Sequence, residues 1–508
     1  MRGFVLVVYV LAMCLMFGAT AQASPTIILD GKEIDAKGII EEGQTLVPMR
    51  IIFEALEAQV SYVQGAVTVT KGQDTVKLVI GERVAYINGK KTPLDVTPRI
   101  VNERTMVPLR LVSEALGADV KWEPVSRTIG ITTACCKPPV AVDKGAFDFS
   151  LFAEVVKQDG EENIFISPVS VALALSMVYN GAAAETKEAM AEVLRVRGIA
   201  IEDVNKANAA LLKALNANPD VQLDVANSVW ARKDVTFTPE FLKTLKDYYS
   251  AEATTLDLND PGAPDIINSW VQDKTNGKID AIIEEIKPDE VMFLINAIYF
   301  LGQWTTEFDK KHTQERPFHP AQGGQKDVPM MWQQGDLRYY QGDQFEAIEL
   351  PYGKNKSASM YVFLPGRDSS LNEFYADLNA SNWAKWQAQF ATKEGQLSLP
   401  RFSLEYEQEL TDVLTNLGMG IAFEPYTADF SGLYTPPPWA YISEVKHKAV
   451  VDVDEKGTEA AAVTSIGIGL TSISVDQPFN MVVDRPFFFA IVDNQTDSIL
   501  FMGSVVNP

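Results

Sequence analysis

Hydrophobic and polar positions follow two different patterns along the chain, and the change of pattern divides it in two. Short alternations of apolar and polar residues fill the first part, for example at residues 60–63. Beyond residue 141, helical patterns such as residues 146–157 and 169–180 are interspersed with strand-like apolar runs such as residues 360–364. Since these helices and strands follow no regular order, we expect one large α+β domain there and not a wound βαβ array.

An internal repeat marks the first part of the chain. The sequence Gln-Thr-Leu-Val-Pro-Met-Arg at residues 44–50 returns 60 residues later as Arg-Thr-Met-Val-Pro-Leu-Arg, and Glu-Ala-Leu lies beyond each copy. In each copy a proline, Pro48 or Pro108, is predicted to begin a short helix, because a missing N–H costs nothing in the first turn. Strand-like alternation follows each helix, so we predict a small α+β domain over residues 24–133.

This repeat resembles the copper amine oxidase N-terminal-like, or stalk, domain that occurs in exported bacterial proteins. The resemblance covers about residues 26–133 and implies a spacer or a cell-envelope attachment module. It does not imply copper, because copper chemistry favours imidazole ligands and the three histidines of the chain, His312, His319 and His447, all lie elsewhere. We therefore expect neither a metal site nor a cofactor.

The first residues have the features of an export signal. Arg2 precedes an apolar run at residues 4–17, and the small residues Ala21 and Ala23 offer a cleavage site before Ser24. The alternative is a retained membrane anchor, but the run is shorter than the roughly 20 residues that a spanning helix needs. We predict a signal peptide over residues 1–23 and a protein that is secreted, extracellular or associated with the cell envelope.

Residues 134–140, Ala-Cys-Cys-Lys-Pro-Pro-Val, are predicted to link the two parts as an extended, semi-rigid segment. Cys135 and Cys136 are the cysteines that remain after signal removal, so the exported chain has no disulfide framework. A bridge between adjacent residues would be strained. These thiols are interpreted as linker residues that could also crosslink two molecules.

The net charge of −23 is concentrated in the second part of the chain. Residues 24–133 carry 13 basic and 14 acidic side chains, whereas residues 140–508 carry 29 basic and 53 acidic ones. A strongly acidic main domain does not attract nucleic acid or anionic lipid. We therefore exclude nucleic acid as a partner, and we expect a monomer.

The second part contains motifs that together resemble the serpin family, in the order of that family and over residues 141–508. The motifs are NIFISPVS at residues 163–170, NAIYFLGQW at 296–304, VKHKAV at 445–450, DEKGTEAAA at 454–462, DRPFFF at 484–489 and FMGSVVNP at 501–508. The resemblance implies an α+β fold with a large central β-sheet and further sheets and helices. It also implies an inhibitor of serine endopeptidases, not an enzyme.

The resemblance further implies a suicide-substrate mechanism. An exposed bait loop follows Ala462, and its cleavage lets the loop enter the main sheet of a metastable fold. Residues 458–469 would extend about 40 Å as a strand. Roughly twenty new ladder hydrogen bonds would release on the order of 10–30 kcal/mol. The expected partner is a serine protease, or alternatively a cysteine protease, trapped as an acyl-enzyme.

The start of the loop is similar to the hinge of inhibitory serpins, over Glu455, Lys456, Gly457, Thr458, Glu459, Ala460, Ala461 and Ala462. Gly457 supplies backbone freedom, and Thr458 is expected to be the first residue buried on insertion. By strand alternation, even-numbered residues from Thr458 to Ile468 would point inward and the odd-numbered ones would face solvent. Because the uncut loop is expected to be exposed, a charge at Thr458 should leave folding intact. The alternative interpretation is a plain surface turn.

Other residues match the family's sheet-opening cluster, namely Ser167, Ser170, Asn296 and His447, together with Trp304 near the start of the loop. A serine beside a histidine also suggests a hydrolase. A catalytic triad needs an exposed nucleophile with an oriented base in a pocket, whereas these residues lie in apolar or strand-like sequence. We therefore predict structural roles and no catalytic residue.

The reactive bond is predicted among Leu470, Thr471 and Ser472, roughly sixteen or seventeen residues along from the hinge glutamate. Leu470 suits a chymotrypsin-like or subtilisin-like protease, and Thr471 suits an elastase-like one. Between Glu459 and Asp484 there is no arginine or lysine, which disfavours trypsin-like targets. Two alternatives remain open, a non-inhibitory serpin and an envelope-attached protective protein.

Overall fold

The structure is a computed structural model of the 508-residue chain. It describes residues 25–29, 32–34, 38–41, 44–55, 58–63, 65–71, 74–94, 96–101, 104–109, 118–123, 128–132, 144–218, 220–435, 440–458 and 477–508. Contacts between Cα atoms divide the chain into two units, Met1–Ile131 and Thr132–Pro508. The predicted signal segment and the predicted linker lie outside the described residues.

The first unit consists mainly of strands. They are β1 (Thr26–Leu29), β2 (Lys32–Ile34), β3 (Ile39–Glu41), β4 (Gln44–Pro48), β5 (Gln59–Val63), β6 (Ala66–Lys71), β7 (Asp74–Val79), β8 (Val84–Ile87), β9 (Lys90–Pro93), β10 (Arg99–Val101), β11 (Arg104–Pro108), β12 (Asp119–Glu123) and β13 (Thr128–Thr132), with helix α1 (Met49–Ala55) between β4 and β5. Among the described residues they form sheets in the orders β12-β13-β1-β2, β10-β11-β4-β3 and β5-β6-β7-β8-β9.

The two copies of the repeat lie side by side in this unit. Strands β4 and β11 pair antiparallel, with Pro48 opposite Met106 and Pro108 opposite Leu46. Each proline is the last residue of its strand, and α1 begins one residue after Pro48, at Met49. For the first copy, the helix therefore begins one residue later than predicted, after the proline and not at it. The proline ends a strand because the pairing of the two copies extends the strands to that point.

The helices of the second unit surround its sheets. They are α2 (Lys144–Asp159), α3 (Pro168–Tyr179), α4 (Ala184–Val193), α5 (Ile201–Asn216), α6 (Pro239–Thr244), α7 (Ala263–Lys274), α8 (Leu371–Asp377), α9 (Ala380–Gln387) and α10 (Thr411–Leu414), with π-helical turns at Leu245–Tyr249 and Thr415–Met419. Local sequence sets several of these boundaries. Ser167 caps α3 by accepting a hydrogen bond from the Ser170 amide, and Pro168 occupies the first turn, where it has no hydrogen bond to lose.

The strands of this unit are β14 (Ile164–Ile166), β15 (Val221–Arg232), β16 (Glu252–Leu256), β17 (Met292–Gln303), β18 (Gln314–Phe318), β19 (Lys326–Gln341), β20 (Phe345–Tyr352), β21 (Ala358–Pro365), β22 (Ala391–Pro400), β23 (Phe402–Glu409), β24 (Glu444–Val453), β25 (Gly457–Thr458), β26 (Phe479–Val482), β27 (Phe487–Asp493) and β28 (Ser498–Val505). In the described residues one sheet runs β14-β28-β27-β21-β20-β19-β22-β26, with β18 on β19. The other, the main sheet, runs β16-β15-β17-β25-β24-β23. The α+β class is thus confirmed.

The main core of this unit lies against the inner face of the main sheet, where α3, β28 and the aromatic residues of β27 pack. Phe165 stacks between Phe489 and Phe501, with ring centroids 5.7 and 4.7 Å away. A second, smaller core lies on the outer face, where α7 covers β15 and β17. Strand β17 at the centre of the main sheet is therefore buried on both faces along most of its length. Within the described residues, no helix has both the length and the apolar character needed to cross a membrane.

Candidate functional site

The centre of the main sheet contains a seam, which we define as the boundary between β17 and β24. Along one half of the seam the two strands pair directly and in parallel, from Phe293 opposite Glu444 to Tyr299 opposite Val450. Along the other half the strands separate, and the two-residue strand β25 lies between them. Thr458 there pairs with Gly302 of β17 and with Val453 of β24. The seam thus has a closed half and a half that already holds a third strand.

The side chain of Thr458 is fully buried at the open half. Its hydroxyl shares a hydrogen bond of 2.8 Å with the hydroxyl of Tyr352, which is also fully buried. Trp304 stacks on Tyr352 at 4.5 Å, and its indole N–H donates to the Asp454 carbonyl at 2.9 Å. These contacts anchor the start of the loop to the core.

This geometry corrects one expectation from the sequence. A charge at Thr458 was expected to leave folding intact because the uncut loop would be exposed, but Thr458 is 0 % exposed in the uncut chain. The hinge threonine is already inserted, since it pairs with both Gly302 and Val453. An arginine at this position would therefore bury an unpaired charge in the native fold itself.

Gly457 lies where two backbones come very close. A Cβ atom on this residue would lie 2.1 Å from the Gly302 carbonyl oxygen and 2.7 Å from the Gln303 Cα atom. Real Cβ atoms do not approach backbone this closely, so any larger residue would push the hinge out of the seam. Glycine is required at this position for β25 to form.

Glu455, the first predicted hinge residue, is held by two side chains that are distant from it in the sequence. Its carboxylate accepts hydrogen bonds from an Arg401 N–H, at 2.6 and 2.8 Å to its two oxygens, and from the Thr313 hydroxyl at 2.6 Å. Burial tends to raise the pKa of Glu455, but the hydrogen bonds from Thr313 and Arg401 outweigh it, so the pKa is lowered. The carboxylate is therefore ionised and fixed at neutral pH.

A buried polar cluster lies beneath the closed half of the seam. Asn296 of β17 and His447 of β24 are directly opposite each other, and the His447 Nδ1 and Asn296 Oδ1 atoms are 2.5 Å apart. The Asn296 amide also donates to Ser170 Oγ and, at 2.5 Å, to Asn227 Oδ1. The Ser167 amide N–H donates to His447 Nε2 at 3.2 Å. The cluster thus joins β15, β17, β24 and α3.

These bonds determine the protonation of His447. Because Nε2 accepts a hydrogen bond from the Ser167 amide, the proton of the neutral ring lies on Nδ1 and is donated to Asn296. Burial lowers the pKa of the His447 imidazole to about 3. A second proton would place two donors face to face at Nε2, so the closed seam requires neutral histidine.

The cluster does not have the geometry of a hydrolase. The Ser167 hydroxyl donates to the Leu500 carbonyl at 2.7 Å and not to the histidine, and both Ser167 and Ser170 are 0 % exposed. Trp304, which the sequence analysis placed near the start of the loop, lies at the other half of the seam beside the hinge. Among the described residues no group of histidine, cysteine and carboxylate side chains is arranged to hold a metal ion.

The outer face of β17 is covered along the closed half of the seam. Phe293, Ile295 and Ala297 of β17 are fully buried on that side, in one core with Ile267 and Val271 of α7. Helix α7 covers this face of β17 in the uncut chain. The alternation predicted for the inserted loop concerns residues outside the described part of the chain, and it stays a prediction.

Two parts of the predicted site lie outside the described residues. They are the second half of the predicted hinge, Glu459, Ala460, Ala461 and Ala462, and the predicted reactive bond at Leu470, Thr471 and Ser472. Sequence reasoning missed Tyr352, Arg401 and Thr313, which hold the hinge. Their contacts cross 106, 54 and 142 residues of chain, and no local period or motif marks them. Only the three-dimensional arrangement brings them to the hinge.

Comparison with known proteins agrees with this geometry. A profile described as "Serpin (serine protease inhibitor)" matches residues 143–508, and one described as "Copper amine oxidase N-terminal domain" matches residues 28–131. A serpin-like protein of Methanosarcina acetivorans is 34% identical over 377 residues, which cover 73% of this chain and 86% of the relative.

Solved structures show the same fold. The native state of tengpin, a thermophilic serpin, has a TM-score of 0.67 at 36% identity and covers 72% of this chain and 94% of tengpin. Human thyroxine-binding globulin, solved with thyroxine, has a TM-score of 0.67 at 29% identity over 74% of this chain and 100% of that chain. Both matches cover nearly the whole of the solved chains.

Proposed function

The chain belongs to the serpin family, whose members are generally protease inhibitors and not enzymes, and we propose that it is a secreted suicide inhibitor of serine endopeptidases. The observation that supports this proposal best is the hinge strand β25, which already lies between β17 and β24. A loop whose start lies in the sheet can continue inward along the seam once its other end is released. Cleavage in the bait loop would supply that release.

The pairing of β25 predicts where the rest of the loop would go. Thr458 is opposite Gly302 and Gly457 is opposite Gln303, so β25 runs antiparallel to β17. Continuing this register places Ala460 opposite Phe300, Thr464 opposite Asn296 and Ile468 opposite Met292. The loop would then pair along β17 to its first residue, Met292, and would separate β17 from β24.

The inner face of β17 favours this insertion chemically. Residues opposite each other in an antiparallel pair point to the same side, so the even-numbered loop residues would face the main core. Phe300, Ile298 and Leu294 belong to that core, and the corresponding loop residues Ala460, Ala462 and Ile466 are uncharged. Thr464 would meet the polar cluster at Asn296. Every inward position thus meets a partner of matching character.

The reach of the inserted strand supports the predicted reactive bond. Ile468 would be the last residue opposite β17, so the acyl-linked residue must lie just beyond it. Leu470 is the large apolar side chain in that window, and burying a leucine in a protease pocket contributes roughly 2 kcal/mol. We therefore favour the Leu470–Thr471 bond, and a chymotrypsin-like or subtilisin-like target, over Thr471–Ser472 and an elastase-like target.

A protease panel tests this function. The exported chain is incubated with subtilisin-like, chymotrypsin-like, elastase-like and trypsin-like proteases, and each mixture is examined for a complex that survives SDS. We expect the complex with at least one of the first three classes, together with a released fragment beginning at Thr471. A fragment beginning before Gly467 or after Asp476, or cleavage without any complex, would contradict the proposal.

The N-terminal unit is proposed to attach the inhibitor to the envelope of the producing cell, after export by the signal at residues 1–23. Its match to the copper amine oxidase N-terminal domain and its separate core support an independent module. In this account the chain protects the cell surface against proteases. Cosedimentation of the exported chain with purified envelope fragments tests the attachment, and a chain that stays in solution would contradict it.

One observation favours a second function, the carriage of a small apolar molecule. A cavity of about 300 Å³ lies among the helices of the second unit, lined by Phe147, Phe149, Leu173, Leu211 and Trp383 among others. The thyroxine-bound globulin has the same fold. Equilibrium dialysis against a set of apolar and aromatic compounds would detect such carriage, and it would be independent of the result with proteases.

A further inference from the structure

One face of the sheet β5-β6-β7-β8-β9 in the first unit is not used by its core. The other face carries the fully buried side chains Val67, Val69, Val76, Leu78 and Ala85. Because successive residues of a strand point to opposite faces, the residues between these face away from the core. We call this side of the sheet the outward face.

A row of polar side chains crosses the outward face through all of its strands. Ser61 is opposite Thr68, Thr68 opposite Lys77, Lys77 opposite Tyr86, and Tyr86 opposite Lys91. We call these residues the lysine–tyrosine row. Five neighbouring strands place its ends about 19 Å apart. The tight turn at Asn88 and Gly89, both with positive φ, holds Tyr86 and Lys91 in register.

The row is accessible and positively charged. Lys77 and Lys91 are exposed, Tyr86 is 37% exposed, and neither lysine forms an ion pair within the described residues. The charged side chains of the row are these two lysines, and it contains no carboxylate, in a chain whose net charge is −23. A local positive surface on an acidic protein selects a negatively charged partner.

We propose that the lysine–tyrosine row binds an anionic polysaccharide through its repeating negative charges. The two lysines lie two strands apart, about 10 Å, on either side of the tyrosine ring. This arrangement fits a linear sugar chain, whose acidic groups meet the lysines while one sugar ring lies on Tyr86. The hydroxyls of Ser61 and Thr68 extend the same line toward further sugar hydroxyls. The inference deepens the envelope attachment proposed above, and it rests on that attachment for its biological setting.

The test compares variants that remove the same charge from opposite faces of the sheet. The double variant Lys77→Gln/Lys91→Gln removes two lysines from the row. The control Lys71→Gln/Lys90→Gln removes two neighbouring lysines that point to the other face of the sheet. Lys71 lies two residues beyond Val69, with Thr70 between them, so it points to the same side as Val69. Lys90 is opposite Ile87 and points to the same side as Ile87. Binding of the full chain is measured against polygalacturonate, neutral dextran and a single-stranded oligonucleotide, at low and high salt.

We expect the row variant to bind polygalacturonate about tenfold or more weakly than the unmodified chain at low salt, and the control to lose less than about threefold. Tyr86→Ala should weaken binding by about fivefold and Tyr86→Phe should not, since the ring face makes the contact. Equal loss in both double variants, equal binding to dextran, or tighter binding to the oligonucleotide would overturn the inference. Thermal melting checks that each variant is folded.

The envelope experiment separates this inference from the proposed function. If the unmodified chain cosediments with envelope fragments and the row variant does so equally well, attachment stands and the lysine–tyrosine row is not its site. If the unmodified chain binds polygalacturonate through the row but does not cosediment, the sugar site stands and envelope attachment fails.

Discussion

The two halves of the seam between β17 and β24 are held in different ways. The closed half consists of direct strand pairing over a buried polar cluster in which Asn296 and His447 satisfy each other. The open half contains a third strand, held by the hydroxyl pair of Tyr352 and Thr458 and by the ion pair of Glu455 with Arg401. In the proposed mechanism, this difference indicates where strand insertion begins and which interactions it must replace. The hinge is already in place, whereas the cluster would have to open.

The largest expected effect comes from a charge on the path of the loop beyond the hinge. In Ala460→Arg the arginine would face Phe300 and the main core during insertion, at a cost of several kcal/mol. We expect the protease to complete hydrolysis, so that the number of inhibitor molecules consumed per protease inactivated rises at least about tenfold.

The matched control for that change is Ala461→Arg. In the continued register this residue is opposite Tyr299, whose outer surroundings include Asp224 and Asp452. An arginine there lies away from the main core, near these two carboxylates and Lys278, whose ammonium is 5.5 Å from the centre of the Tyr299 ring, and it should leave the stoichiometry nearly unchanged. Loss of trapping in both variants would show that the side of the strand is immaterial and that the register is incorrect.

Asn296→Ala should destabilise the closed half. It removes the bonds from Asn296 to Ser170, Asn227 and His447 and leaves buried partners unsatisfied, at a cost of about 2–4 kcal/mol. The free energy of unfolding of the uncut chain is measured in denaturant. The control Asn480→Ala changes an exposed asparagine of β26 and should stay within about 0.5 kcal/mol of the unmodified chain. Equal effects would contradict a special role for the cluster.

Acid should weaken the closed half through His447. The pKa of this imidazole is about 3 in the fold, against an ordinary value of 6.5, so the unfolded chain binds the proton first as pH falls. Stability is therefore lost below pH 6.5, by roughly 2 kcal/mol at pH 5. His447→Gln removes this titration. The difference in the free energy of unfolding between the unmodified chain and His447→Gln should therefore shrink as the pH falls from 7 to 5. A difference that does not change with pH would contradict the assignment.

The smallest effect is expected at the open half. Tyr352→Phe removes one hydrogen bond to Thr458 and should cost about 1 kcal/mol, with amide exchange in β25 accelerated about fivefold. Tyr426→Phe, at a tyrosine that is 88% exposed, is the control and should change neither quantity. If Tyr352→Phe destabilised the chain as much as Asn296→Ala, the two halves would not differ in the way described.

The cluster could be predicted from sequence more fully than the hinge could. Ser167, Ser170, Asn296 and His447 stand in recognisable motifs, and the structure brings them together. The insertion of Thr458 in the uncut chain was missed, because it depends on Tyr352, which is 106 residues away. Tertiary contacts between distant residues leave no periodic pattern in the sequence.

The same limit applies elsewhere in the fold. Alternation predicted the paired strands β5 and β6, where for example the buried Val69 lies between Thr68 and Thr70. It could not predict that α7 covers the outer face of β17, because the sequence of a buried strand shows the same apolar run whatever element covers it. The shift of the helix start after Pro48 has a similar origin, in the pairing of two repeat copies.

The most direct test of strand insertion is the thermal stability of the chain before and after cleavage of its loop. A protease that cuts the loop without being trapped is used, and both forms are melted under the same conditions. The account predicts that the cleaved chain melts roughly 10–40 °C higher, because insertion adds on the order of 10–30 kcal/mol of new strand pairing. A cleaved chain that melts at or below the temperature of the uncut chain would contradict insertion, and with it the proposed inhibitory function.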